Sequence, residues 1–358
     1  MKRVDRMIID RFGRPLESLR ITVTHKCNFS CFFCHMEGES LESSVELSYE
    51  DIGIVVEAFS RLGVRRYKIT GGEPTLRRDI LHIVREIKTR GRAEDLSMTT
   101  NGFRLEELAF RLREEGLSRI NISIHSLKRD TFRMITGVDG LERVLKGLEA
   151  AKKAGFKQIK INTVLLRGVN EGEILDLIEL VRGDDRMVLQ IIELHPVGMG
   201  AGVFNKHFLS TDYVEKLLSE NISHLRIRRD LHNRPVYYLR EGGAIELVRP
   251  VSNPIFCAGC NRLRLTADGF LKPCLLKNRD NVDLKPVLFD ESLSREEKIN
   301  KIIELIYLAN QFREPSAFWA LNRDLDFVAE RFKISGDLRD RIRIHIPKRY
   351  YSYNDSSY

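Results

Sequence analysis

The stretch "LRITVTHKCNFSCFFC", residues 19–34, carries two signals side by side. Its first six residues, rich in Ile, Val and Thr, read as a buried strand. Three cysteines, Cys27, Cys31 and Cys34, then fall within eight positions. Working outward, the strand signal recurs at 65–70, 96–100, 119–124, 159–165 and 187–194. Amphipathic runs at 48–63, 79–90, 104–115, 141–154 and 171–182 separate the strands. The first of them opens with Ser48, closes with Gly63 and keeps apolar residues at 52, 55, 56 and 59, which is helical spacing. Six strand–helix units in succession predict a parallel α/β sheet, because each crossover must return on the same side. A barrel and an open doubly wound sheet fit this pattern equally. In either, functional groups gather at the C-terminal ends of the strands. "THKC" (24–27), "GGEP" (71–74), "NG" (101–102) and "HSL" (125–127) stand there.

Beyond residue 205 the pattern changes. A helix at 211–219 precedes the alternating "PVYYL" (235–239) and "AIELV" (244–248). "LRLT" (263–266) and "FLKPC" (270–274) then read as a hairpin turning at Asp268-Gly269. Helices are expected near 294–312 and 316–332, and the polar end from 336 to 358 as a mobile tail.

A chain of 358 residues with 42% hydrophobic and 31% charged residues belongs among globular proteins. No apolar run approaches the roughly 18 residues that span a bilayer. The N-terminus, "MKRVDRMIIDRFGRP", lacks the apolar stretch of a signal peptide. The cytoplasm is therefore expected, without structural disulfides. The net charge of +8 suits a polyanionic partner, although dense Lys and Glu also match the surface ion pairs of a thermophile. No RNA-binding module and no block of clustered basic and aromatic residues is visible, so no nucleic-acid partner is expected.

The six cysteines form two trios, Cys27–Cys31–Cys34 and Cys257–Cys260–Cys274, with none between. Zinc favours four ligands, and His25 or His35 could complete the first set. A [4Fe–4S] cluster is normally held by four thiolates, so three would leave one iron open. The Cys-x₃-Cys-x₂-Cys order after the first strand favours the cluster, as does Gly-Gly-Glu-Pro after the second. Two glycines let a ligand approach backbone N–H groups, and the Glu73 carboxylate can accept hydrogen bonds from an ammonium group. The second trio again offers three ligands, with no further Cys or His in its span, and the same logic suggests a second open cluster. Arg262 and Arg264 alternate on one strand and share a face, an arrangement suited to bidentate contact with an anion.

These residues resemble the radical S-adenosylmethionine superfamily. Within it, "LRITVTHKCNFSCFFC", "KITGGEPTLRRDI", "MTTNG" and "CAGCNRLRLTADGFLKPCL" are closely similar to the GTP 3′,8-cyclase family of molybdenum cofactor biosynthesis, over roughly residues 10–290. The resemblance implies an incomplete (β/α)₆ barrel whose open side is closed by a C-terminal extension. Residues 1–235 would form the core and 236–335 the second-cluster region. It implies that S-adenosylmethionine fills the open position on the first cluster and is cleaved to methionine and a 5′-deoxyadenosyl radical. GTP would become (8S)-3′,8-cyclo-7,8-dihydroguanosine 5′-triphosphate, which a cyclic pyranopterin monophosphate synthase then consumes. An electron donor is needed, and the chain would act as a monomer or homodimer. Carried over by motif, Cys27, Cys31 and Cys34 hold the first cluster and Cys257, Cys260 and Cys274 the second. Phe33, Gly72, Ser123 and His195 line the S-adenosylmethionine site, and Glu73 receives the methionyl ammonium. Arg20, Lys68, Thr99, Lys160, Arg262, Leu263 and Arg264 meet GTP.

Two features depart from the family. His195 stands where methionine is usual, and "NDSSY" stands where bacterial members end in Gly-Gly. Other functional classes fit less well. A peptide-modifying radical enzyme would carry more cysteines towards the C-terminus, and an iron–sulfur electron carrier needs no Gly-Gly-Glu-Pro.

Overall fold

A computed structural model describes residues 8–39, 45–218, 222–229, 231–253, 255–277 and 280–315. The helix expected at 316–332 and the tail from 336 lie outside the described residues. Six strands run parallel in chain order: β1 (Ser18–Thr22), β2 (Arg66–Thr70), β3 (Asp95–Thr100), β4 (Arg119–Ser123), β5 (Gln158–Leu165) and β6 (Met187–Glu193). The crossovers carry α1 (Tyr49–Arg61), α2 (Ile80–Thr89), α3 (Leu105–Glu114), α4 (Arg129–Thr136), α5 (Leu141–Lys153) and α6 (Ile174–Glu179). Every step moves one place in the same direction. This is barrel-type winding, since a doubly wound sheet reverses at a switch point. The helices pack as their spacing implies. In α1 the apolar positions Ile52, Val55, Val56 and Phe59 are all buried, behind a capping box formed by Ser48 and Asp51.

The C-terminal part completes both edges of this sheet. After α7 (Met199–His207) and α8 (Asp212–Leu217), β7 (Ile222–Arg228), β8 (Arg234–Leu239) and β9 (Ala244–Val248) form an antiparallel ribbon. Within it, β9 pairs parallel with β6. The hairpin of β10 (Arg262–Leu265) and β11 (Phe270–Lys272), followed by β12 (Val282–Asp283), joins the other edge, where β10 pairs parallel with β1. One sheet of twelve strands results, in the order β12-β11-β10-β1-β2-β3-β4-β5-β6-β9-β8-β7. The chain between β9 on one edge of the partial barrel and β10 on the other carries Cys257 and Cys260. Then α9 (Lys285–Leu288) leads to α10 (Arg295–Gln311), which packs on α1.

The strands are not apolar on both faces. Leu19, Ile21, Tyr67, Ile69, Leu263 and Leu265 pack in the main core. Their alternating neighbours Arg20, Lys68, Arg262 and Arg264 line an interior cavity. Register puts Arg264, Arg20 and Lys68 abreast on three adjacent strands. The period-2 alternation of a strand thus divides core from site. Among the described residues, no helix is long and apolar enough to cross a membrane.

Candidate active site

The loop after β1 is fastened before its cysteines can do anything. Phe29 meets Phe103 and Phe132 edge-on at 5.8 and 5.9 Å. Ser30 and Phe32 donate backbone N–H groups to Thr136 and Ile135 at the end of α4. Cys27 and Cys34 each accept a backbone N–H at sulfur, from Phe29 and Met36, both at 3.4 Å. Burial pushes the Cys31 thiol up to about 12, with Cys34 and Cys27 adding to the effect, and burial raises Cys27 and Cys34 as well. Desolvated thiols without a neighbouring cation are poor free thiolates. A cationic metal centre removes that penalty.

The Gly-Gly-Glu-Pro turn differs from expectation in two respects. Two of its N–H groups are not left for a ligand, because Gly72 and Glu73 donate to Thr24 O and Lys26 O, both at 2.8 Å. A Cβ on Gly72 would collide with the His25 and Lys26 carbonyls. The glycine is needed for chain-on-chain packing against the cysteine loop. Glu73 does not face the cavity. Its buried carboxylate accepts from Thr75 N (3.0 Å), Thr100 Oγ1 (2.7 Å) and Asn101 N (2.6 Å), tying the turn to the end of β3.

The second trio is assembled from distant parts. Cys257 and Cys260 flank a short 3₁₀ turn, and Cys274 follows β11. Arg14 donates to the Cys257 carbonyl at 3.0 Å and Arg313 to the Cys260 carbonyl. Asp10 pairs with both arginines, at 2.8 and 3.3 Å. Burial pushes the Cys260 thiol up, but Arg313, Arg262 and Arg14 outweigh it and bring it down to about 7. Burial raises Cys274. All six cysteines are free of disulfides and line one cavity of about 300 Å³. Among the described residues, no three His, Cys, Asp or Glu side chains are grouped closely enough to hold a metal ion as they stand. The fold supplies two open trios around a common space, a donor set that fits thiolate-bound iron.

Gly72, Phe33, Ser123, Thr99 and His195 line the same cavity. Phe33 meets His125 edge-on at 4.9 Å. Burial lowers His195 to about 3, its Nδ1 lies 3.0 Å from Glu193 O, and its ring is 6.0 Å from that of His35. The cavity adjoins a basic chamber of about 380 Å³, with Arg20, Lys68 and Arg262 on both walls. Arg20 and Arg262 each keep a buried Nε–H without an acceptor. Burial and the surrounding Arg20, Arg119, Lys160 and Arg262 hold Lys68 well below its ordinary value.

Two residues expected at the substrate lie outside the cavity that the cysteines line. Lys160 faces only the basic chamber, where it pairs with Glu246. Glu246 also holds Arg234 (3.3 Å) and Arg228 (3.5 Å). The Leu263 side chain is buried in the core, because its neighbours on β10 take the inward positions.

Sequence reasoning missed Glu37, Arg14 and Arg313. Glu37 lines the cavity and accepts from Arg264 (2.6 Å), Arg20 (3.5 Å) and Thr70 (2.7 Å). Burial pushes its carboxyl up, but Arg20, His35 and Arg264 hold it well below the usual range. The one available signal was its place three residues after Cys34.

The radical SAM superfamily model matches residues 21–181, and the Molybdenum Cofactor Synthesis C model matches residues 187–319. The chain is 48% identical over 311 residues to a probable GTP 3′,8-cyclase of Metallosphaera sedula, covering 86% of this chain and 96% of the relative. It is 48% identical over 309 residues to that of Sulfurisphaera tokodaii, at the same coverage. This chain belongs to the GTP 3′,8-cyclase family. Among solved structures, Streptococcus suis SuiB bound to S-adenosylmethionine superposes with a TM-score of 0.55 at 15% identity, over 84% of this chain and 76% of that one. That likeness shows the radical SAM fold. The division between the two family models falls just before β6, whereas the cavity draws on both sides of it.

Proposed function

We propose that this chain converts GTP to (8S)-3′,8-cyclo-7,8-dihydroguanosine 5′-triphosphate with S-adenosylmethionine, the first step of molybdenum cofactor biosynthesis. The observation that carries this reading is one cavity that opens on both cysteine trios and continues into a chamber of cations. A cluster held by Cys27, Cys31 and Cys34 supplies, when bound, the electron that cleaves S-adenosylmethionine to methionine and a 5′-deoxyadenosyl radical. Gly72, Phe33, Ser123 and His195 bind S-adenosylmethionine beside it. His195 stays uncharged at working pH, so it sets no like charge against the sulfonium. Glu73 acts from behind the wall, by holding the turn that presents Gly72.

Cys257, Cys260 and Cys274 would hold a second cluster on the wall of the same cavity. Arg20, Lys68 and Arg262 supply the charge for the triphosphate, and the open Nε–H groups of Arg20 and Arg262 support this role, because buried donors without acceptors cost free energy that an anion recovers. Thr99 and Arg264 contribute from the same cavity, Lys160 from the basic chamber, and Leu263 only through its backbone.

Anaerobic reconstitution followed by incubation with S-adenosylmethionine, dithionite and GTP tests the proposal. The expected result is one 5′-deoxyadenosine per cyclised nucleotide, identified by mass spectrometry. Release of 5′-deoxyadenosine with GTP left unchanged would overturn it.

A further inference from the structure

The loop carrying the first trio ends in an unusual turn. Met36, Glu37 and Gly38 have φ of 49°, 49° and 62°, three left-handed residues in a row of which one is glycine. Residues with a Cβ hold this conformation only where their surroundings fix it. Here they do. Glu37 N donates to His35 Nδ1 at 2.9 Å, and its carboxylate is shared by Arg264, Arg20 and Thr70. The Gly38 carbonyl accepts from Lys272, and a Cβ on Gly38 would overlap the Leu275 carbonyl. Lys272 and Leu275 flank Cys274. The turn begins two residues after Cys34, so it makes one continuous route between the two trios.

Arg264 and Arg20 also line the cavity. An anion that engages them competes with Glu37 for the same guanidinium groups. Losing those contacts removes two of the holds on the left-handed backbone and loosens the loop that carries Cys34. We propose that the Met36–Gly38 turn is a coupling element, with Glu37 as its positioning residue, through which an anionic nucleotide at Arg20 and Arg264 alters S-adenosylmethionine binding beside Cys34. The inference rests on the reading of the cavity as a joint nucleotide and S-adenosylmethionine site. Coupling between the sites requires a second arrangement of this turn besides the one described, populated when nucleotide is bound.

The test is equilibrium dialysis of S-adenosylmethionine against the reconstituted full chain, with and without GTP, with iron content measured in parallel. In the wild type, GTP is expected to shift the Kd for S-adenosylmethionine about fivefold or more. In Glu37→Gln, isosteric but uncharged, the shift is expected to fall below about twofold, with iron content unchanged. The milder Thr70→Val, which deletes a single hydrogen bond to Glu37, is expected to fall between them, and it keeps the test open if Glu37→Gln fails to fold. Variants that bind nucleotide and keep the full shift would overturn the inference while leaving the cyclase reading intact. So would a wild type that cyclises GTP and shows no shift. A wild type that neither binds nor cyclises GTP would overturn both.

Discussion

The two cysteine trios face one cavity but are built in opposite ways. The first is local: three residues within eight positions, on a loop pinned by Phe29 and by the end of α4. The second is assembled across the chain, and Arg14 reaches the Cys257 carbonyl from 243 residues away. Their electrostatics differ too. The first trio's thiols are raised by burial, whereas arginines bring Cys260 down to about 7. A local site depends on its own loop. A site gathered by tertiary contacts depends on everything that gathers it, so distant substitutions should damage the second trio and spare the first.

The largest expected effect is that of Cys31→Ala. Removal of one of three adjacent ligands should lower 5′-deoxyadenosine formation by about a thousandfold, roughly 4 kcal/mol in barrier, as measured by chromatography. Undiminished cleavage would end the claim that this trio initiates the radical. Cys274→Ala should instead separate the two activities. Cyclised GTP is expected to fall about a hundredfold, the cost of misplacing a reacting atom by about 1 Å, while uncoupled cleavage persists with the first cluster loaded. Equal loss of both activities would show that the trios do not work separately.

Arg313→Met sharpens the contrast from a distance. It leaves Asp10 short of one partner and frees the Cys260 carbonyl. We expect about 3 kcal/mol of destabilisation, iron content reduced by about half, and cyclisation reduced about tenfold. Uncoupled 5′-deoxyadenosine release should continue. Loss of all the iron would show that the bracket supports the whole fold instead.

The smallest effect concerns Glu37, which touches both regions. Its folded-state value lies below the ordinary 4.5, so its contribution to stability is present above that value and is lost as pH falls below it. The gap in melting temperature between wild type and Glu37→Gln should therefore narrow by a few degrees between about pH 6 and pH 3. A constant gap would mean that Glu37 is held by shape rather than by charge.

The sequence was most informative where structure is local. The six parallel strands and the first cysteine loop were legible because runs rich in Ile, Val and Thr, capping residues and close spacing act over a few residues. The hairpin at Asp268-Gly269 was legible for the same reason. Which sheet edge β9 and β10 would join was not, since parallel pairing between residues 18 and 262 leaves no local trace. Glycines 71 and 72 were read as room for a ligand, yet the structure uses that room for a second stretch of backbone. Alternation in β10 correctly put Arg262 and Arg264 on one face, and the same rule sends Leu263 to the other. Glu37 was hidden because a left-handed turn without a run of glycines has no compositional signature. Arg14 and Arg313 looked like two more cations in a basic chain.

The sheet order also bears on how the chain is made. During synthesis, β1 to β6 can pair as they emerge, but the outer edges of β1 and β6 have no partner until β9 and β10 follow. Exposed strand edges are templates for pairing with another chain. Long-range parallel pairing is slow to form. The nascent protein must therefore pass through a stage with two uncovered edges, and the ribosome delivers the cover for its first strand only after residue 262. The segment that carries Cys257 and Cys260 is drawn across when that cover arrives. Completion of the sheet and assembly of the second ligand set thus draw on the same late-emerging stretch of chain.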